Sequence, residues 1–237
     1  MTKPLYLEDS YAKEFDAKIT SIEGNKIELD QTLFYPESGG QLGDKGIIIY
    51  KEGKEYQVSC KKEQGKILHY ISPDINGLKV GTQVHGIIDW NFRYKMMRMH
   101  TAAHVLSSII NKETGALITG NQLGSERSRI DFDLEKFDRE QLESFIGKAN
   151  KEIEKGAEVS AYAISRQEAE STPNLCKLAK GLPPSIQEIR ILKINNIDEQ
   201  PDGGTHVKNT KEIGKLLFVS VENKGASRRR IYFSLEN

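Results

Sequence analysis

Two histidines four positions apart, His100 and His104 in the stretch MHTAAHVL, are the first residues of this 237-residue chain whose spacing could do chemistry. In a helix, residues four apart lie one turn above each other on one face, so both imidazoles can be offered to a single ion. From the pair alone two readings stand open: ordinary histidines of a partly apolar helix, or half of a metal site. No glutamate follows His100, so this is not the HExxH pattern of zinc proteases. A metal needs further donors. His69 and His85 lie in stretches of alternating strand pattern and read as wall or surface residues. His206 is different, because it lies in PDGGTHVKNTKEIG, where Pro201-Asp202-Gly203-Gly204 reads as a turn. Two glycines allow a sharp bend and a close approach to another group. Asp202 and His206 are again four apart. His100, His104 and His206 with Asp202, or with water in its place, fit a zinc ion with an open position. A polar turn with a capping aspartate is the plainer alternative.

The elements that must position these residues change character along the chain. Up to residue 89 the signals are all β: AKITSIEGNKIELD is a hairpin about Gly24-Asn25, and GIIIYKEGKEYQVSCKK repeats the pattern about Gly53. KILHYI and TQVHGIID read as two more strands, and short strands at this spacing point to a small barrel. From Trp90 to about Lys112 the apolar positions Met99, Ala103, Leu106 and Ile110 follow helical spacing, with Gly115 as a stop. A second stripe, Leu142, Phe145, Ile146, Ala149 and Ile153, lies between Asp138 and Gly156. Strands are expected at EVSAYAI, EIRILKI, LLFVSVE and RRIYFSL. The expected fold class is α+β: a β-barrel module over 1–89, then an α+β module over 90–237 with a mainly antiparallel sheet and the HxxxH helix. Cys176, in LCKLAKGLPPS, reads as part of a helix end packed on the core rather than as a ligand.

Only two cysteines, Cys60 and Cys176, occur, which argues against a disulfide framework. No apolar run is long enough to span a bilayer and the first residues lack a signal-peptide core, so a soluble, cytoplasmic protein is expected. Net charge is zero, but its distribution is uneven. Residues 91–129 carry six basic side chains against two acids, and 202–237 carry seven against four. The intervening 131–170 holds eleven acids against six bases. Either this is a mixed, solvated surface, or the two basic stretches fold together as a footprint for phosphates.

HTAAH followed about a hundred residues later by GGTH resembles the editing domain of alanyl-tRNA synthetase and the free-standing AlaX proteins. QTLFYPESGGQLGDKG is similar to the segment ahead of the HxxxH helix in that family, ITGNQLGSERSRIDFD to the segment after it, and NKGASRRRIYF to the closing strands. The length leaves no room for an aminoacylation domain or for the long C-terminal extension of the largest AlaX forms, so the resemblance is to the medium-sized type. Gly39-Gly40-Gln41 also spells the GGQ of peptide-release factors, but its flanks match the synthetase pattern. In one place the chain departs from the family. The second half-site is usually CxxxH, with a thiolate as fourth zinc ligand, and here Asp202 stands in the cysteine position. Aspartate is a harder donor, so Asp202 as a ligand and Asp202 behind a three-histidine site are both open.

The resemblance implies a zinc-dependent hydrolase that deacylates Ser-tRNA(Ala), with Gly-tRNA(Ala) as the other candidate substrate and the acceptor stem of tRNA(Ala) as partner. A second site of this kind is needed because a binding pocket discriminates only modestly against a small change in an amino acid. Thr119, Asn121 and Gln122 are the candidates for the pocket that receives the serine hydroxyl. Zinc on His100, His104 and His206 would activate water or orient the substrate, aided by Asp202 or Gln41. Arg93, Arg98, Lys208 and Arg229 would hold phosphates. Two other classes fit the same residues: a tRNA-binding module with a structural zinc, and a zinc hydrolase of small esters or amides.

Overall fold

The computed structural model describes residues 2–51, 53–134, 138–172, 175, 186–225 and 228–236. Cys176 lies outside the described residues. The chain divides into two compact units, Met1–Met97 and Arg98–Asn237.

The first unit contains β1 (Lys3–Pro4), β2 (Glu14–Glu23), β3 (Lys26–Leu29), β4 (Gln31–Thr32), β5 (Lys45–Tyr50), β6 (Lys54–Glu63), β7 (Lys66–Ser72) and β8 (Gln83–Ile88). Six of them close into an antiparallel barrel in the order β2-β3-β7-β6-β5-β8. The cause is a period-two pattern: on β2, Phe15, Ala17 and Ile19 are buried while Glu14, Asp16 and Lys18 are exposed. Phe15 and Phe34 meet edge to face at 5.6 Å inside. Gly86 on β8 is required there, because a Cβ would lie 2.3 Å from the Phe15 ring. His69 is an interior residue. Thr32 Oγ1, which accepts from the Phe34 amide, donates to His69 Nε2 at 2.9 Å, and His69 Nδ1 donates to Ile27 O at 3.3 Å. His85 sits on the outside against Asp16 and Glu14.

Helix α1 runs from Trp90 to Thr114. The second unit continues with β9 (Ile118–Gln122), β10 (Ser128–Phe132), α2 (Arg139–Lys155), β11 (Val159–Ser165), α3 (Arg166–Ser171), β12 (Glu188–Ile194), β13 (Asp198–Pro201), β14 (Leu216–Asn223) and β15 (Arg229–Leu235). Two sheets form, β14-β15-β10-β9 and β11-β12-β13, both antiparallel. The α+β class is as expected, with the expected sheet divided in two. Helix α2 starts at a capping box between Asp138 and Gln141 and ends at left-handed Gly156, with the expected stripe buried.

Helix α1 differs from its predicted single stripe, for residues 99–107 are all buried. It is enclosed from more than one side. Ser128 on β10 donates to Met99 Sδ at 3.5 Å, the Val207 amide donates to Thr101 Oγ1 at 3.2 Å, and Ser108 Oγ donates to Ile197 O at 2.5 Å. Strand β13, of sequence DEQP, is an addition to the sequence reading, since it has no apolar alternation to announce it. Among the described residues no helix is long and apolar enough to cross a membrane.

Candidate metal centre

His100 and His104 do lie one turn apart on α1, with ring centroids 5.0 Å apart and both rings buried. His206 comes to the same place, 4.3 Å from the His100 ring and 5.1 Å from that of His104. The segment that carries it leaves β13 and is fixed at several points. Asp202 N donates to Arg190 O at 3.1 Å, Arg190 Nη1 returns to Asp202 O at 2.9 Å, and Val207 is tied to Thr101 beside His100. Gly204 N donates to Asp202 Oδ1 at 2.6 Å, which orients the carboxylate. The two glycines work differently from expectation. Neither Gly203 nor Gly204 has a positive φ, and a Cβ on Gly203 would meet nothing.

One donor atom from each of His100, His104, Asp202 and His206 lies within 4.8 Å of all the others. His100 Nε2 and His206 Nε2 are each 3.4 Å from an Asp202 oxygen, and His104 Nε2 is 3.7 Å away. These separations are too long for strong hydrogen bonds but close to the edge of a tetrahedron with zinc–donor bonds of about 2.0–2.1 Å, which is about 3.3 Å. Both ring nitrogens of buried His206 lack a hydrogen-bond partner. A buried imidazole without a partner is costly unless something else takes its lone pair, and a cation does so. The residues present therefore fit a zinc ion.

At His206 and Asp202 the charges agree with this fit. Burial pushes His206 well below the usual histidine range, leaving the neutral ring that a metal requires. Burial would raise the Asp202 pKa, but His100 and His206 outweigh it and hold the carboxyl well below its ordinary range. At His104 burial pulls the pKa down, but Asp198 and Asp202 beside the ring raise it to about 9. Asp198 and Gln200 are functional candidates that sequence reasoning missed. Asp198 Oδ2 is 2.8 Å from His104 Nδ1, and Gln200 Nε2 is 2.7 Å from the same oxygen. Their signal was present as the alternation Asp198, Gln200, Asp202 leading into GGTH.

The remaining candidates are placed less simply. Thr119 is the residue skipped by the register shift between β9 and β10, where Asp131 pairs with Gly120 and Phe132 with Ile118. Asn121 pairs with Ile130, and Gln122 pairs with Arg129 and accepts from its Nε at 3.2 Å. Adjacent strand residues face opposite ways, so Asn121 and Gln122 cannot both line one pocket. A cavity of about 810 Å³ is lined by Ser107, Asn111 and Lys112 on α1 and by Asp198 and Gln200; the three pocket candidates take no part in it. Gln41 belongs to the first unit, where it is buried in the turn formed with Ser38, and Gly39 and Gly40 both have positive φ.

Arg93 is a correction. It is fully buried in the first unit, its guanidinium bound to the Asp44 carboxylate, to Leu33 O and to Ser10 O, so it offers nothing to a phosphate. Arg98 bonds Ile213 O at 2.8 Å and Glu236 O at 3.1 Å, and so ties down the end of the chain. Arg229 Nη1 bonds Asn223 Oδ1 and Gly225 O across the turn between β14 and β15. Lys208 is exposed. The two basic stretches do meet, through the β10–β15 pair, but Asp131 lies between Arg129 and Arg230 and partly neutralises them.

Residues 6–92 match the family described as tRNA synthetases class II (A), and residues 189–232 match the threonyl and alanyl tRNA synthetase second additional domain. The alanine–tRNA ligase of Sulfurisphaera tokodaii is 37% identical over 224 residues, which are 93% of this chain and 25% of the ligase. The alanyl-tRNA editing protein AlaX-M of Methanosarcina mazei is 48% identical over 243 residues, covering 99% of this chain and 97% of its own. That of Saccharolobus solfataricus is 45% identical over 239 residues, covering 100% of both chains. Barrel, antiparallel sheets and buried histidine helix thus define a protein of the synthetase-related editing class. The chain belongs to the AlaX-M family of alanyl-tRNA editing proteins.

Proposed function

We propose that the chain hydrolyses Ser-tRNA(Ala), and Gly-tRNA(Ala) with it, at a zinc centre held by His100, His104, His206 and Asp202. The observation that carries this reading is the convergence of these four donors, at coordination spacing, in a chain similar throughout to alanyl-tRNA editing proteins. In the reaction a water oxygen bonds to the ester carbonyl carbon. The bond to the terminal ribose oxygen breaks, that oxygen takes a proton, and free serine leaves. Bound zinc supplies Lewis acidity, which either activates water or orients the substrate's amino or hydroxyl group. The chain's own residues do the rest. Buried His206 keeps a neutral donor turned inward, His100 and His104 present their rings to the same point, and the Asp202 carboxylate supplies the negative charge that offsets the cation. A hydroxyl-binding group such as Thr119, at its bulge, favours serine over alanine, which would leave that group unpaired. Exposed Lys208 contributes to holding the acceptor stem of tRNA(Ala) by charge, and the activity belongs in the cytoplasm with charged tRNA.

Asp202 gives a second reading its one support. Four protein donors can close a tetrahedral site, and a closed site is structural, which would leave a tRNA-binding module without catalysis. Purified protein incubated with Ser-, Gly- and Ala-tRNA(Ala) separates the readings. Release of serine that stops on chelation and in His104→Ala, with Ala-tRNA(Ala) spared, is the expected result. Binding of the tRNA without release sinks the hydrolase, and comparable loss of alanine sinks the editing role. Hydrolysis of small esters alone would point to the third class.

A further inference from the structure

We propose that Asp198 is a positioning residue for the metal, acting through His104, with Gln200 as its brace; the inference rests on the reading of the four-donor cluster as a zinc site. Asp198 Oδ2 lies 2.8 Å from His104 Nδ1, while Nε2 of the same ring faces Asp202 Oδ2 at 3.7 Å. A hydrogen on Nδ1 is donated to the carboxylate, so Nε2 keeps its lone pair for an ion and the ring cannot rotate away. Gln200 Nε2 donates to the same carboxylate oxygen at 2.7 Å and lies 2.8 Å from His104 Nδ1, so it packs against both members of the pair.

The backbone explains why this pair is available. On β13, Asp198 and Gln200 are two apart and share a face, and the strand is pinned to β12 by the pairs Ile194 with Asp198 and Leu192 with Gln200. One short segment therefore delivers Asp202 to the cluster and Asp198 behind it. His206 has no such support, since neither of its ring nitrogens is hydrogen-bonded. The Asp198 contact is also not needed to hold this segment on the helix. Ser108 Oγ and Lys112 Nζ both donate to Ile197 O, at 2.5 and 2.9 Å, and make that junction without it. The carboxylate's distinctive effect is on the imidazole, whose basicity as a ligand it raises.

Zinc affinity, measured by competition with a chromogenic chelator on the full chain, tests this. Asp198→Ala is expected to bind zinc roughly 10–100-fold more weakly than wild type. Asp198→Asn, similar in size but uncharged, should fall between, and its use guards against a failure of the alanine variant to fold. The metal-free proteins should melt at the same temperature, and the cobalt-loaded variants should show a shifted visible ligand-field band. Unchanged zinc affinity in both variants overturns the inference, as does a loss of affinity matched by a lower melting temperature of the metal-free protein. If wild type itself binds no zinc, the zinc-site reading fails with it.

Discussion

His206 Nε2 stands 3.4 Å from Asp202 Oδ1, four residues away in sequence; the histidine is buried and the carboxylate half-buried, and no hydrogen bond joins them. The spacing suits two donors on one cation better than it suits a direct contact. Asp202→Ala should therefore weaken zinc binding by more than roughly tenfold, whereas Asp202→Cys, which supplies a softer thiolate, should tighten it by roughly tenfold. Chelator competition reads both. Equal affinities in wild type and Asp202→Ala would place the carboxylate outside the coordination sphere.

Arg93 and Asp44 form the most deeply buried ion pair of the described residues, with side chains 0% and 1% exposed. Removing one partner leaves the other charge in the core, so Arg93→Ala or Asp44→Ala should cost about 3–5 kcal/mol of stability. Chemical unfolding measures this. The same variants, where still folded, should leave the salt dependence of tRNA binding unchanged.

His69 makes stability depend on pH. Its burial in the barrel pushes its pKa from the ordinary 6.5 down to about 4, with the backbone bond to Ile27 only partly offsetting this. The folded chain thus binds the proton less tightly than the unfolded one. Stability should fall as pH drops below about 6.5 and level off near 4, with a total loss of about 3 kcal/mol from this group. His69→Leu should flatten the profile between those limits, and unfolding curves for both proteins at pH 7.5 and 4.5 would reveal a failure to do so.

Lys208 and Arg98 should behave as opposites. Lys208 is exposed, so Lys208→Ala should weaken tRNA binding and lower the slope of log affinity against log salt by about one, with stability unchanged. Arg98 bonds two backbone oxygens, so Arg98→Ala should lower stability by about 1–3 kcal/mol by leaving Ile213 O unpaired. Titrations at several salt concentrations, with melting curves beside them, separate the two effects.

A neutralised basic face gives a further expectation. Asp131 pairs with Arg230 at 2.7 Å and with Arg129 at 2.9 Å. Asp131→Asn should free both guanidinium groups and, if this face meets tRNA, strengthen binding at low salt more than at high salt. Binding that does not change places the RNA elsewhere.

Local pattern made much of this molecule legible. The strands of the barrel alternate, so the hairpins and the barrel could be read in advance, although His69 was not recognised as interior. Helix α2 carries its own start and stop in Asp138 and Gly156. The spacing of His100 with His104, and of Asp202 with His206, proposed a metal before any fold was known. These features are legible because a helix or strand repeats its geometry every few residues, and the side chains repeat with it.

Partners distant in sequence leave no such trace. Whether Arg93 faces a phosphate or Asp44, and whether Asp131 leaves a basic strand open or closes it, depends on chain segments 49 and 99 residues away. The alternation of Asp198, Gln200 and Asp202 is visible in the sequence, but without apolar neighbours it could not announce a strand. The sequence by itself named four candidate donors and the spacing within each half of the cluster. Only the tertiary structure decided that the halves meet with Asp202 among the histidines and Asp198 behind His104, because a charge or a hydrogen bond is fixed by whatever the folded chain brings next to it.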